Sequence, residues 1–206
     1  MIIASIILVS ICIGHFSPAI IKKAERAVLA SSKEIDLTVN QASGVFLSLA
    51  VIALPAYLFL RLTNNFLLTL IVYLMGICVY FDIKRKWIPD PALYTLLFTT
   101  TLYMSTMHAD LRDIACNVAS LTLPYIMLNL HAFATRKREV YISSGDFYFA
   151  IPVALITGDW ISGLFISSSS LLLAFLFMCA SRANQLPLLP FIYIPALVIL
   201  ATKSPA

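Results

Sequence analysis

The stretch Phe66–Pro89, FLLTLIVYLMGICVYFDIKRKWIP, decides the fold. From Phe66 to Phe81 it carries no charge; Asp82 and the triplet Lys84-Arg85-Lys86 then follow. As a helix, the uncharged part alone reaches about 24 Å, most of a hydrocarbon layer about 30 Å thick. Flanking side chains that reach the interface supply the remainder. An acid and three bases gathered at one end mark the point where the segment meets water.

The same pattern recurs along the chain. Uncharged or nearly uncharged blocks run over Ile2–Ile21, Val45–Leu60, Phe66–Phe81, Ala92–Met107, Ile114–Phe133, Phe147–Ile156, Ile161–Cys179 and Pro187–Ala201. Of the 206 residues, 61% are hydrophobic and 12% charged, whereas soluble domains carry about 25% charge. The expected fold is all-α: a polytopic transmembrane bundle of about eight helices, forming one integral-membrane domain over residues 1–206 with no separate soluble domain. The sixth block reaches only about 15 Å. It must borrow residues from its flanks or be shielded inside the bundle. Ser167–Ser170 in the seventh is a small-residue patch suited to close helix contact.

Basic residues set the expected orientation. Lys22, Lys23, Arg26 and Lys33 lie in the first connection, Lys84–Lys86 in the third, Arg136–Arg138 in the fifth and Arg182 in the seventh. Odd connections thus hold eleven of the fourteen basic residues; Arg61, Arg112 and Lys203 lie elsewhere. The positive-inside rule makes the odd connections cytoplasmic and both termini external. Positive charges follow the first apolar run rather than precede it, so that run reads as a retained anchor, not a cleaved signal. Residues Lys22–Gly44 mix charge with aliphatics and are expected to form an amphipathic surface helix. Tyr80, Trp87, Tyr141 and Trp160 are placed to form interfacial aromatic belts.

The net charge of +4 is explained by these positions, and no nucleic-acid partner is expected. Cys12, Cys78, Cys116 and Cys179 all fall in apolar blocks, form no C-x-x-C pair, and are expected to be buried, inert thiols.

Two acids stand apart from ordinary loop charge. Asp82 closes the third block and Asp146, in ISSGDFYFA, opens the sixth. Charge counting puts both at one membrane face, where an unpartnered carboxylate is unfavourable. For Asp146 a purely structural role is well founded, because Ser-Ser-Gly-Asp is good helix-start chemistry. For Asp82 it is weaker: an acid at a helix C-terminus faces the unfavourable end of the dipole, although the following bases offset it. The other reading is a pair of carboxyls that divide general base and general acid work between them.

The flanking residues favour the pair. Asp82 is followed by Ile88-Pro89, Asp146 closes S-S-G-D, L-P-L-L-P-F spans Leu186–Phe191, and I-G-H-F spans Ile13–Phe16. In this order they resemble the type IV prepilin peptidase family, intramembrane aspartic proteases with a G-x-G-D motif and relatives among preflagellin peptidases. The resemblance implies that Asp82 and Asp146 are the catalytic aspartates, with Gly145, Ser143, Ile88 and Pro89 as supporting motif positions. It implies an aspartic endopeptidase that removes a short basic leader from prepilin-like precursors at the cytoplasmic face of a bacterial inner membrane. Ser143 stands where the motif has its first glycine, and its smaller access to positive φ predicts a different loop backbone. Many members carry C-x-x-C pairs in the first cytoplasmic loop and methylate the product using S-adenosylmethionine. This chain has no such pairs, so no cofactor is expected for the peptidase step, and S-adenosylmethionine only if methylation occurs.

Other acids and histidines carry less. Asp159 in T-G-D-W, Asp110 and Asp113 are assigned to the opposite face. Asp90 and Glu139 read as solvated surface charges, although both lie on the side where a basic leader would arrive. His15 is expected to be packed and hydrogen-bonded, and no metal-ligand spacing includes His108 or His131. The rival from another class is a transporter or structural subunit whose aspartates bind ions or pair with bases.

Overall fold

The computed structural model describes residues 2–29, 42–85, 88–107, 110–135, 142–181 and 187–203, and among them all regular structure is helical. The helices are α1 (Ile2–Leu29), α2 (Ala42–Ser48), a π turn (Leu49–Ala53), α3 (Leu54–Thr63), α4 (Phe66–Arg85), α5 (Asp90–Thr106), α6 (Leu111–Ala134), α7 (Ser144–Thr157), α8 (Trp160–Ser181) and α9 (Leu189–Lys203). Because α2, the π turn and α3 form one unbroken rod, each of the eight apolar blocks falls on one rod. Lys33, Lys86, Trp87, His108, Arg136–Arg138, Glu139, Tyr141 and Arg182 lie outside the described residues. So does most of the expected surface helix after Leu29.

Gly44–Thr63, Phe66–Lys84, Leu111–Ala134 and Trp160–Ala180 are long and apolar enough to cross a bilayer. Their outward faces present large apolar side chains such as Phe133 (82% exposed) and Leu111 (81%). A surface of this kind suits lipid rather than water. The chain therefore reads as a membrane protein.

Helix α4 forms the centre of the bundle. In it 67% of the apolar window is buried, against 28% or less in the other three long helices. The α2–α3 rod, α5 and α9 pack around it. Gly76 lets the π turn come close, since a Cβ there would meet Val51 O at 2.7 Å and Ile52 Cα at 2.9 Å. Tyr193 on α9 donates its hydroxyl to Val51 O at 3.1 Å, supplying a partner to a carbonyl in the widened turn. In lipid that partner matters, because no water is present to replace it.

Helix α7, at 14 residues, takes in three residues before the expected block and one after it. It is still only about 21 Å long. It is also shielded: Phe149, Ala150, Val153 and Ala154 have no exposure, enclosed by α5, α6 and α9. Against α6, α8 packs closely. A Cβ on Gly163 would overlap Asn117 and Ser120, while Ser167 and Ser170 are fully buried and Ser170 bonds the Tyr125 hydroxyl. Ser167 and Ser170 make the close contact expected of the patch, while Ser168 is exposed.

Three expectations are corrected. Only Cys78 is buried; Cys12, Cys116 and Cys179 lie on the bundle's outer surface, where a small apolar thiol suits lipid as well as a protein core. Tyr80 faces inward rather than forming part of an aromatic belt, because Ser17 on α1 meets its hydroxyl at 2.7 Å. His15 is exposed on α1, with Phe16 edge-on at 5.1 Å, instead of packed inside.

Candidate aspartate site

Asp82 occupies the last turn of α4 and is 5% exposed. Its Oδ2 accepts a hydrogen bond from the backbone N–H of Leu189 at 3.0 Å, across 107 residues of chain. Leu189 is the first residue of α9, so a helix N-terminus points at the carboxylate. The positive end of the α9 dipole thus offsets the unfavourable end of α4. Pro190 follows directly and has no N–H to compete. This contact gives the L-P-L-L-P-F stretch a physical task.

Asp146, 9% exposed, sits at the third position of α7. Ser143 is the residue capping that helix. Its N–H and hydroxyl donate to Asp146 Oδ2 at 2.9 and 2.8 Å, and its Oγ accepts from the Asp146 N–H at 3.4 Å. This is a capping box with aspartate in the acidic place. Ser143 has φ −74° and ψ 161°, extended backbone open to any residue. Positive φ is not required there, so serine is accommodated without strain. Serine supplies a capping hydroxyl that glycine lacks.

Gly145 lies beside Ile88. A Cβ there would lie 3.4 Å from Ile88 Cδ1 and 3.7 Å from Ser143 Oγ. Ile88 is itself buried, and Pro89 caps the start of α5. The residues after Asp82 are therefore packed against the residue before Asp146. Together with the Leu189–Asp82 bond, this gathers the C-terminus of α4 and the N-termini of α5, α7 and α9 at one end of the bundle. All six motif positions, Asp82, Asp146, Gly145, Ser143, Ile88 and Pro89, belong to that end.

Helix α6 adds two residues that the sequence reading missed. Asn129 donates through Nδ2 to Ile142 O at 2.9 Å and accepts at Oδ1 from Ile142 N–H at 3.0 Å. Tyr125, one turn earlier, meets the Phe147 ring edge-on at 6.4 Å. The signal for Asn129 was available: a carboxamide inside an apolar block needs a buried partner.

Asp159, Asp110 and Asp113 lie away from this end. Asp159 is in the turn after α7, at the end opposite Asp146, where it pairs with Lys203 from the end of α9 and accepts from Ser162 N–H and Oγ. Partial burial pushes its carboxyl up, but the Lys203 ammonium and the Ser162 donors outweigh this and hold it below the usual carboxylate range. Gly158, with φ 78°, makes the left-handed turn that ends α7. Asp110 caps α6 through Arg112 N–H, and Asp113 is exposed in its first turn. Asp90 is exposed at the start of α5, and His131 is exposed near the end of α6. Among the described residues no three His, Cys, Asp or Glu side chains gather as metal ligands.

No family model, no curated protein and no solved structure matches this chain.

Proposed function

We propose that this chain is an intramembrane aspartic endopeptidase of the prepilin peptidase kind, with Asp82 and Asp146 as its acid–base pair. The observation that carries the reading is the gathering of two buried aspartates, 64 residues apart in sequence, at one end of an apolar bundle. Each accepts a hydrogen bond from a backbone N–H, Leu189 for Asp82 and Ser143 for Asp146. An N–H donor fixes a carboxylate's position while leaving it able to exchange protons.

The chemistry follows from two carboxyls sharing one proton. The ionised member takes a proton from water as the oxygen attacks the scissile carbonyl, and the protonated member gives its proton to the carbonyl oxygen. Collapse of the tetrahedral species returns a proton to the departing amine and breaks the C–N bond. The pair titrates jointly, so apparent pKa values belong to both residues. No cofactor enters this step.

In this reading the pair faces the cytoplasm across a bacterial inner membrane, with eight spans and the N-terminus outside, and the basic connections on the side of Asp82 and Asp146 support that orientation. A precursor with a short basic leader before an apolar helix leaves its leader on that same side. Purified protein in detergent micelles, given such a prepilin-like precursor, should release the leader as one fragment, with mass spectrometry locating the cut just before the apolar helix. An intact precursor under conditions where the protein remains folded counts against the reading, and favours a transporter or structural subunit.

A further inference from the structure

A helix too short to span a bilayer leaves its terminal N–H and C=O groups inside the protein at membrane depth, where each needs a partner. Two asparagines on α6 meet that need at the two ends of α7. Asn129 pairs with both backbone groups of Ile142, just before the capping box. Asn117, 1% exposed, donates to Ala154 O and to Thr157 Oγ1 near the C-terminus of α7. The twelve residues from Asn117 to Asn129 match the twelve from Ile142 to Ala154, as one antiparallel register requires. Leu121 and Tyr125 lie between the two on the same face, at four-residue intervals, and both are fully buried.

We infer that Asn129 is a positioning residue for Asp146: its carboxamide locks Ile142 and so fixes the capping box that aims the Asp146 carboxylate. The chain is short between these points. Ile142 is joined directly to Ser143, and the Ser143 N–H and hydroxyl both hold Asp146 Oδ2. Release of Ile142 would let Ser143 rotate and move both donors together. A carboxamide suits this work because it offers a donor and an acceptor side by side, as a neighbouring strand would. Asn117 holds the far end of the same helix and provides an internal comparison, being remote from the carboxylates.

The catalytic consequence rests on the peptidase reading, but the structural one does not, and the experiment separates them. Asn129→Ala, Asn129→Gln and Asn117→Ala proteins in detergent micelles are compared with wild type by amide hydrogen exchange and by cleavage of a prepilin-like precursor. Asn129→Ala should speed exchange over residues 142–146 by about 10-fold or more, since two hydrogen bonds are lost there. Asn117→Ala should speed exchange around residues 154–158 instead. In cleavage, Asn129→Ala should lower kcat by about 10- to 100-fold with KM little changed, as a displaced catalytic group does. Asn129→Gln, which keeps the amide but shifts it by one methylene, should fall between Asn129→Ala and wild type in both readouts. Unchanged exchange over 142–146 in Asn129→Ala overturns the inference. So does an equal loss of kcat in Asn117→Ala, which would make the asparagines general supports. A wild-type protein that fails to cleave the precursor while exchange responds as expected removes the peptidase reading and leaves the Asn129 lock standing.

Discussion

Ile88 lies beside Gly145: a Cβ on residue 145 would stand 3.4 Å from the isoleucine's Cδ1. The contact joins the segment after one aspartate to the residue before the other, although 57 positions separate them in sequence. Side-chain size at 145 should therefore tune activity more than stability. Gly145→Ala places its Cβ at van der Waals contact with the flexible end of Ile88, whereas the two further methyl groups of Gly145→Val exceed that space. We expect little loss of kcat for alanine and about 10-fold or more for valine. An Ile88→Ala/Gly145→Val double variant should recover part of the valine loss, which steady-state cleavage kinetics will test.

Ser143 gives a different and smaller effect. It contributes a capping hydroxyl that a glycine would lack, on a backbone that does not require positive φ. Ser143→Ala should lower stability by about 1 kcal/mol and Ser143→Gly by only a few tenths. Thermal unfolding in micelles will rank the two. Glycine proving the more harmful would show that the hydroxyl is not the operative cap.

The π turn depends on Tyr193. Removing its hydroxyl leaves Val51 O without that donor, in a place remote from water. Tyr193→Phe should destabilise by about 1–3 kcal/mol. Gly76→Ala, whose new Cβ would press on backbone rather than on a movable side chain, should be destabilising by a similar amount through overpacking. Denaturation of both variants in mixed micelles provides the check.

At the far end, the Asp159–Lys203 pair should make stability depend on pH in the acid range. The native carboxyl titrates below its ordinary value of 3.8. Its contribution is complete above that ordinary value and disappears as pH falls through the lower native one. Asp159→Asn should thus melt below wild type at neutral pH and match it in strong acid. The difference should stay within about 1 kcal/mol, because both side chains are 41% exposed and screened by solvent. Peptide cleavage at neutral pH should hardly change, since the pair is remote from Asp82 and Asp146.

The helical blocks were legible in the sequence because hydrocarbon imposes a length and a purity that composition displays directly. Phe66–Phe81 is α4 but for its polar final turn, and Phe147–Ile156 is α7 but for its cap. The six motif positions could be listed from short strings, yet the contacts between them could not. Leu189 acts through a backbone N–H, which no side-chain pattern reveals. Asn129 stood in an apolar block, and its partner Ile142 looked like one more aliphatic residue. Inward and outward faces were also hidden: in a membrane helix both are apolar, so Tyr80 and the cysteines gave no sign of which way they point.

The most direct measurement is cleavage of a co-expressed prepilin-like precursor by Asp82→Asn and Asp146→Asn proteins, each shown to accumulate in the membrane like wild type. Asparagine keeps the shape and the acceptor oxygen that Leu189 and Ser143 engage, but cannot exchange a proton in this chemistry. Each single variant should lower processing by about 10²- to 10⁴-fold. Precursor processed at the wild-type rate by either variant would contradict the aspartate pair.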